Sequence, residues 1–163
     1  MTCTLILMRH AKSDWNHTDL SDHSRPLNPR GRDGATAMGH WLRDRGHVPD
    51  AALVSSATRT TETFQRLGFD VPVQNTGDLY MKSSDTMFGM LRKATAPVIL
   101  MVGHNPGIGE MAWRLCATRP DHPRFADYPT CATLVVQFDA QGWNDIGWHT
   151  GQPIDFAIPG DIL

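Results

Sequence analysis

The stretch Thr4-Leu5-Ile6-Leu7-Met8-Arg9-His10-Ala11-Lys12-Ser13 constrains this chain more than any other. Its first five residues are mostly apolar and branched, without polar alternation, and read as a strand buried on both faces inside a parallel sheet. A guanidinium, an imidazole and an ammonium follow within four residues. Open α/β sheets bind ligands outside the carboxyl ends of their strands, so this exit is placed to receive an anion. Taken alone, Arg9 and His10 are read equally well as solvated residues closing a strand.

Two further stretches repeat the design. Val98-Ile99-Leu100-Met101-Val102-Gly103-His104-Asn105-Pro106-Gly107 is an apolar run with a histidine at its exit. Ala52-Leu53-Val54-Ser55-Ser56-Ala57-Thr58-Arg59 ends in two hydroxyls and then an arginine. If these strands are parallel, Arg9, His10, Arg59 and His104 meet on one edge of the sheet. Two arginines converging on two histidines is a costly arrangement without an anion between them. A phosphoryl group is the natural occupant, because arginine forks match its oxygens bidentately.

The remaining composition narrows the class. A length of 163 residues suits a single domain over residues 1–163 with a real core. With 15 Lys+Arg against 17 Asp+Glu, the net charge of −2 argues against nucleic acid as a partner. Cys3, Cys116 and Cys131 lack C-x-x-C spacing and are odd in number, which fits a reducing compartment. Arg9 and His10 interrupt the early apolar run, so no secretory leader is read. No stretch approaches the roughly 18 apolar residues of a membrane span, and the expected location is the cytoplasm.

Asp14 to Arg25 reads as a polar loop beside the site, with His17 and His23 as exposed residues and not metal ligands. Asn28-Pro29 starts a helix that runs to about Arg45 and ends at Gly46, burying Ala35, Met38, Leu42 and part of Trp41. A strand near Ala51–Val54 leads into a helix over Thr58–Leu67 stopped by Gly68, with Arg59 in its first turn. Val71–Gln74 is expected as a short edge strand, and Gly77–Tyr80 as a loop. A helix capped by Ser83 or Ser84 extends to Lys93, and another opens at Pro106-Gly107. Pro120–Pro129 reads as a long loop. Two closing strands are placed at Ala132–Phe138 and Ile146–Thr150 around a turn at Gln141-Gly142, with an irregular tail from Gln152.

Arg9-His10, the Ser-Ser strand end before Arg59, and Gly103-His104, in that order, resemble the histidine phosphatase superfamily, the phosphoglycerate mutase-like proteins. The short length, Arg9-His10-Ala11-Lys12-Ser13, Arg25-Pro26-Leu27 with Gly31, and Val102-Gly103-His104-Asn105-Pro106 are most similar to its SixA-type phosphohistidine phosphatase branch. The resemblance implies an α/β fold: three α/β/α layers around a mostly parallel sheet of about six strands. It also implies a metal-independent, cofactor-free phosphatase in which His10 takes the phosphoryl group covalently. Arg9, Arg59 and a protonated His104 would hold its oxygens, with Lys12, Ser13 and Asn105 as candidate substrate contacts. Larger members carry a glutamate acid between the Arg59 and His104 positions. Here Asp78 is the candidate substitute, unless the loop holds it only structurally. The expected substrate is a phosphohistidine protein, whose imidazole leaves a P–N bond with little help. The alternatives are a small phosphate monoester phosphatase and a phosphate-binding module without turnover.

Overall fold

A computed structural model describes residues 1–163. Strand β1 (Thr2–Arg9) leads through a long loop to helix α1 (Pro29–Asp44), strand β2 (Ala51–Ser55) and helix α2 (Thr58–Leu67). Strand β3 (Val73–Thr76), helix α3 (Ser84–Leu91), strand β4 (Val98–Gly103) and helix α4 (Gly107–Leu115) follow. Strands β5 (Thr133–Asp139) and β6 (Gln152–Ala157) and a short helix α5 (Pro159–Ile162) complete the chain. One six-stranded sheet runs β3-β2-β4-β1-β5-β6. The pairs β3–β2, β2–β4 and β4–β1 are parallel, whereas β1–β5 and β5–β6 are antiparallel.

The unbroken apolar runs of β1 and β4 follow from burial on both faces. Leu5, Leu7, Ile99 and Met101 face a core completed by α3 and α4, while Ile6, Met8, Leu100 and Val102 face one completed by α1 and α2. That is the three-layer arrangement expected. Asn28 caps α1 through the Gly31 amide, with Pro29 in the first turn. Gly31 is required by close approach, since a Cβ there would collide with the Lys12 carbonyl. The first turn of α1 thereby packs directly on the β1 exit. Gly68, with φ of 81°, ends α2 in the left-handed conformation. All three cysteines are buried and unpaired.

The last strand departs from expectation. Residues 146–150 are not a strand; β6 is Gln152–Ala157. Trp143 buries its ring and donates its indole N–H to the Ala96 carbonyl at 2.7 Å, folding Trp143–Asp145 into a 3₁₀ turn. The segment after it closes the end of α4, with His149 N–H on the Arg114 carbonyl at 2.7 Å and Gly151 N–H on that of Leu115 at 2.8 Å. Pro153 disguised the real strand, yet it sits on the sheet edge beside an irregularity in the β5–β6 register, where its missing N–H is tolerated. Two boundaries also move: β3 starts after Pro72, and α3 stops at Leu91 and not Lys93.

Candidate active site

Register brings the two histidines together. Arg9 pairs with Gly103 across β1 and β4, so His10 and His104 each stand one residue past the last pair. The His10 N–H donates to the Gly103 carbonyl at 3.0 Å, and the ring centroids are 5.3 Å apart. Serine 55, at the end of neighbouring β2, accepts the Ala57 amide at 3.4 Å and contacts His104 Nε2 at 2.8 Å. Behind the site, Thr63 accepts the Ala11 amide and donates to the Arg59 carbonyl, fixing α2 against the β1 exit.

One contact sets the imidazole tautomer of His10. His10 Nδ1 lies 2.7 Å from the Ala11 carbonyl, which can only accept, so Nδ1 carries the proton and Nε2 keeps a free lone pair. Burial, with His104, Arg59 and Arg9 adding like charge, holds the His10 imidazolium well below its ordinary pKa. The resting ring is neutral, with Nε2 unprotonated. His104 is pushed down to about 3, first by burial and then by Arg59. The sequence reading expected a protonated His104, whereas the resting site keeps it neutral. The Ser55 hydroxyl can donate to or accept from Nε2; where it donates, the His104 proton resides on Nδ1 and remains a donor.

Around these rings lies a cavity of about 330 Å³ lined by Arg9, His10, Arg25, Arg59 and His104, among others. Arg9 reaches the Tyr128 carbonyl at 3.4 Å through Nη1. Arg59, 2% exposed, gives Nη1 to the Asp22 carbonyl at 2.7 Å and Nη2 to the Asp22 carboxylate at 3.0 Å. Arg25, also buried, donates Nη1 to Ser13 Oγ and Nη2 to the other Asp22 oxygen at 3.1 Å. Its guanidinium stacks 3.7 Å from the Trp15 ring centre. Four buried side-chain nitrogens lack any hydrogen-bond partner in the protein: Nε of Arg9, Arg25 and Arg59, and Nδ1 of His104. Buried polar groups are nearly always satisfied, so four unpartnered nitrogens around one cavity leave it rich in free donors.

The other sequence candidates separate here. Lys12 is exposed and lies between this cavity and a neighbouring one of about 580 Å³. Ser13 lines the cavity but supports Arg25. Asn105 is committed to backbone: its Nδ2 donates to the Asp127 and Tyr128 carbonyls, and its Oδ1 accepts the Gly109 amide. Asp78 lies apart from these residues. It is exposed on the 3₁₀ turn Gly77–Leu79 and does not line the cavity, because that turn aims buried Leu79, not Asp78, inward. Sequence alone does not single out Arg25 and Asp22 as site residues, although Arg25 belongs to the Arg25-Pro26-Leu27 motif. Nothing local distinguishes their loop from a solvated one.

Comparison with known proteins agrees with this geometry. Residues 5–80 match the family described as the histidine phosphatase superfamily (branch 1). An uncharacterised protein of Mycobacterium tuberculosis is 31% identical over 159 residues, covering 93% of this chain and 99% of that protein. A structure from Nakamurella multipartita, described as a proposed phosphohistidine phosphatase SixA, superposes with a TM-score of 0.82 at 28% identity, covering 98% of this chain and 97% of that one. The protein histidine phosphatase SixA complexed with tungstate has the same fold, with a TM-score of 0.80 at 21% identity over 98% of this chain and 99% of that one. Paired histidines at parallel strand exits, a cationic cavity between them and this kinship place the chain in the histidine phosphatase superfamily, in its SixA-type branch.

Proposed function

We propose that this protein is a metal-independent phosphatase that removes the phosphoryl group from phosphohistidine in a protein. His10 Nε2 attacks phosphorus, the P–N bond to the substrate imidazole breaks, and the ring, already protonated on its other nitrogen, departs as neutral imidazole with the bonding electron pair. Water then attacks phospho-His10, releasing phosphate and restoring the lone pair. Arg9, Arg25, Arg59 and His104 Nδ1–H stabilise the equatorial oxygens in both steps, the preorganised electrostatics on which phosphoryl transfer depends.

The observation that carries this reading is the set of four orphaned nitrogens around a neutral, tautomer-fixed His10. The substrate preference rests on proton supply. Asp78 is outside the cavity, and Asp22, its one acidic lining residue, is held ionised chiefly by the Tyr80 hydroxyl, with Arg25 and Arg59 assisting. A site without a neutral carboxyl acid favours an imidazole leaving group over an alkoxide. One feature favours a second reading, a small phosphate monoester: the adjoining cavity of about 580 Å³ would house its organic part.

Rapid quench with a labelled phosphohistidine peptide should yield an acid-labile, base-stable phosphoprotein in wild type and none in His10→Ala. Retained turnover in that variant ends the covalent mechanism, and binding without label transfer in wild type would indicate a non-catalytic module. Steep dependence of kcat/KM on leaving-group pKa supports phosphohistidine, whereas a shallow one moves the substrate to monoesters. Chelator should leave the rate unchanged.

A further inference from the structure

Arg25 and Arg59 are used in the same way. A guanidinium presents a side-on fork through Nε and Nη2, the edge that takes two oxygens of a phosphoryl group. In both residues Nε is bare while Nη2 is held by the Asp22 carboxylate, at 3.1 Å for Arg25 and 3.0 Å for Arg59. Half of each fork is thus occupied by an acid of the protein itself. Asp22 is also the only acidic residue among those lining the cavity.

We propose that Asp22 is the exchangeable resting ligand of this site: its carboxylate yields the two Nη2 groups to the phosphoryl oxygens as substrate binds, and reclaims them as phosphate leaves. The inference rests on the reading of the cavity as a phosphoryl site and adds a residue that governs product release.

The exchange needs only a side-chain movement. The backbone beside Asp22 is tied independently, by Arg59 Nη1 on the Asp22 carbonyl at 2.7 Å and by Thr58 N–H on the His23 carbonyl at 2.9 Å. His23 Nε2 adds a contact to Ser56 Oγ at 2.9 Å. The Asp22 side chain is 48% exposed, so it has solvent to turn into, while its guanidinium partners are almost wholly buried. Tyr80 donates its hydroxyl to Asp22 Oδ2 at 2.6 Å and strengthens the resting hold. Its three partners keep the carboxyl ionised far below the usual carboxylate range, so it competes as an anion wherever the protein is folded. Without such a competitor, the buried guanidiniums of Arg25 and Arg59 would stand unneutralised between turnovers and would retain product phosphate. With it, a fraction of each binding energy is spent on displacement, and the apparent affinity for phosphate falls accordingly.

The test is calorimetric titration with inorganic phosphate, using the full chain. Arg59→Ala should lose most phosphate binding, which locates the ligand. Asp22→Asn keeps the shape and removes the competing charge, and should bind phosphate roughly tenfold more tightly, with product inhibition tightened to match. Tyr80→Phe should shift affinity in the same direction by less, and serves if the Asp22 variant fails to fold. A residue that merely braced the arginines would do the reverse, weakening phosphate when removed. Unchanged or weaker affinity in folded variants overturns the role of Asp22 alone. Phosphate binding that ignores Arg59 overturns the phosphoryl site and this inference with it.

Discussion

The parallel and antiparallel halves of the sheet do different work. Strands β2, β4 and β1 run parallel, and their carboxyl ends deliver Ser55, His104 and Arg9-His10 to one edge. Strands β5 and β6 contribute no lining residue to the cavity around His10 and His104. The antiparallel half instead supplies a floor: β5 buries Leu134, Val135, Val136 and Phe138, and the Tyr128 hydroxyl before it donates to the Leu7 carbonyl of β1. Parallel strands align their exits, so reactive side chains accumulate at one end. Antiparallel neighbours alternate their ends and serve packing.

That division can be broken from either side. The largest effect belongs to the parallel half. Arg59→Ala should lower kcat/KM on the order of 100-fold or more, as removal of one oxyanion donor does elsewhere. Arg59→Lys should not restore it, because an ammonium cannot reproduce the fork; wild-type kinetics with lysine there would remove the bidentate role. On the antiparallel side, Phe138→Ala should cost about 3–5 kcal/mol of stability by denaturant unfolding, since the ring is fully buried against Trp143. Its turnover per folded molecule should stay within about twofold of wild type. A comparable fall in kcat would mean that β5 reaches the chemistry after all.

The smallest effect is a pH slope. His10 and His104 are both depressed from an ordinary value of 6.5, His104 to about 3, chiefly by burial. Below pH 6.5 the unfolded chain protonates these rings while the folded protein resists. Stability present above 6.5 is therefore lost as pH falls toward the folded-state values. The depressed carboxyls of Asp22 and Asp161 join only near and below their ordinary 3.8. In phosphate-free buffer Tm should decline between pH 6.5 and about 4. His104→Gln should flatten the decline, and identical slopes would show that this ring is not held neutral.

The sequence by itself determined the parallel half and the histidine pair. A strand buried on both faces must be continuously apolar, and a charge at its end is then conspicuous, so β1, β4, Arg9, His10 and His104 are legible from local order alone. Arg59 was legible because a helix start fixes its distance from a strand exit. Tertiary structure decided the rest. Strand β6 is an edge strand containing Pro153 and only partly buried, so it carries neither a continuous apolar run nor an uninterrupted ladder. Asn105 and Ser13 look like ligands in sequence, yet the fold uses their polar atoms to hold a loop and an arginine. Asp22 and Arg25 lie in a polar loop whose composition is that of any solvated segment. They become part of the site only because Arg59, on α2 and 37 residues beyond Asp22, folds back against that loop. Short-range patterns record which face of an element is buried. Which distant charges then meet there depends on chain reversal and packing, and no local pattern encodes that.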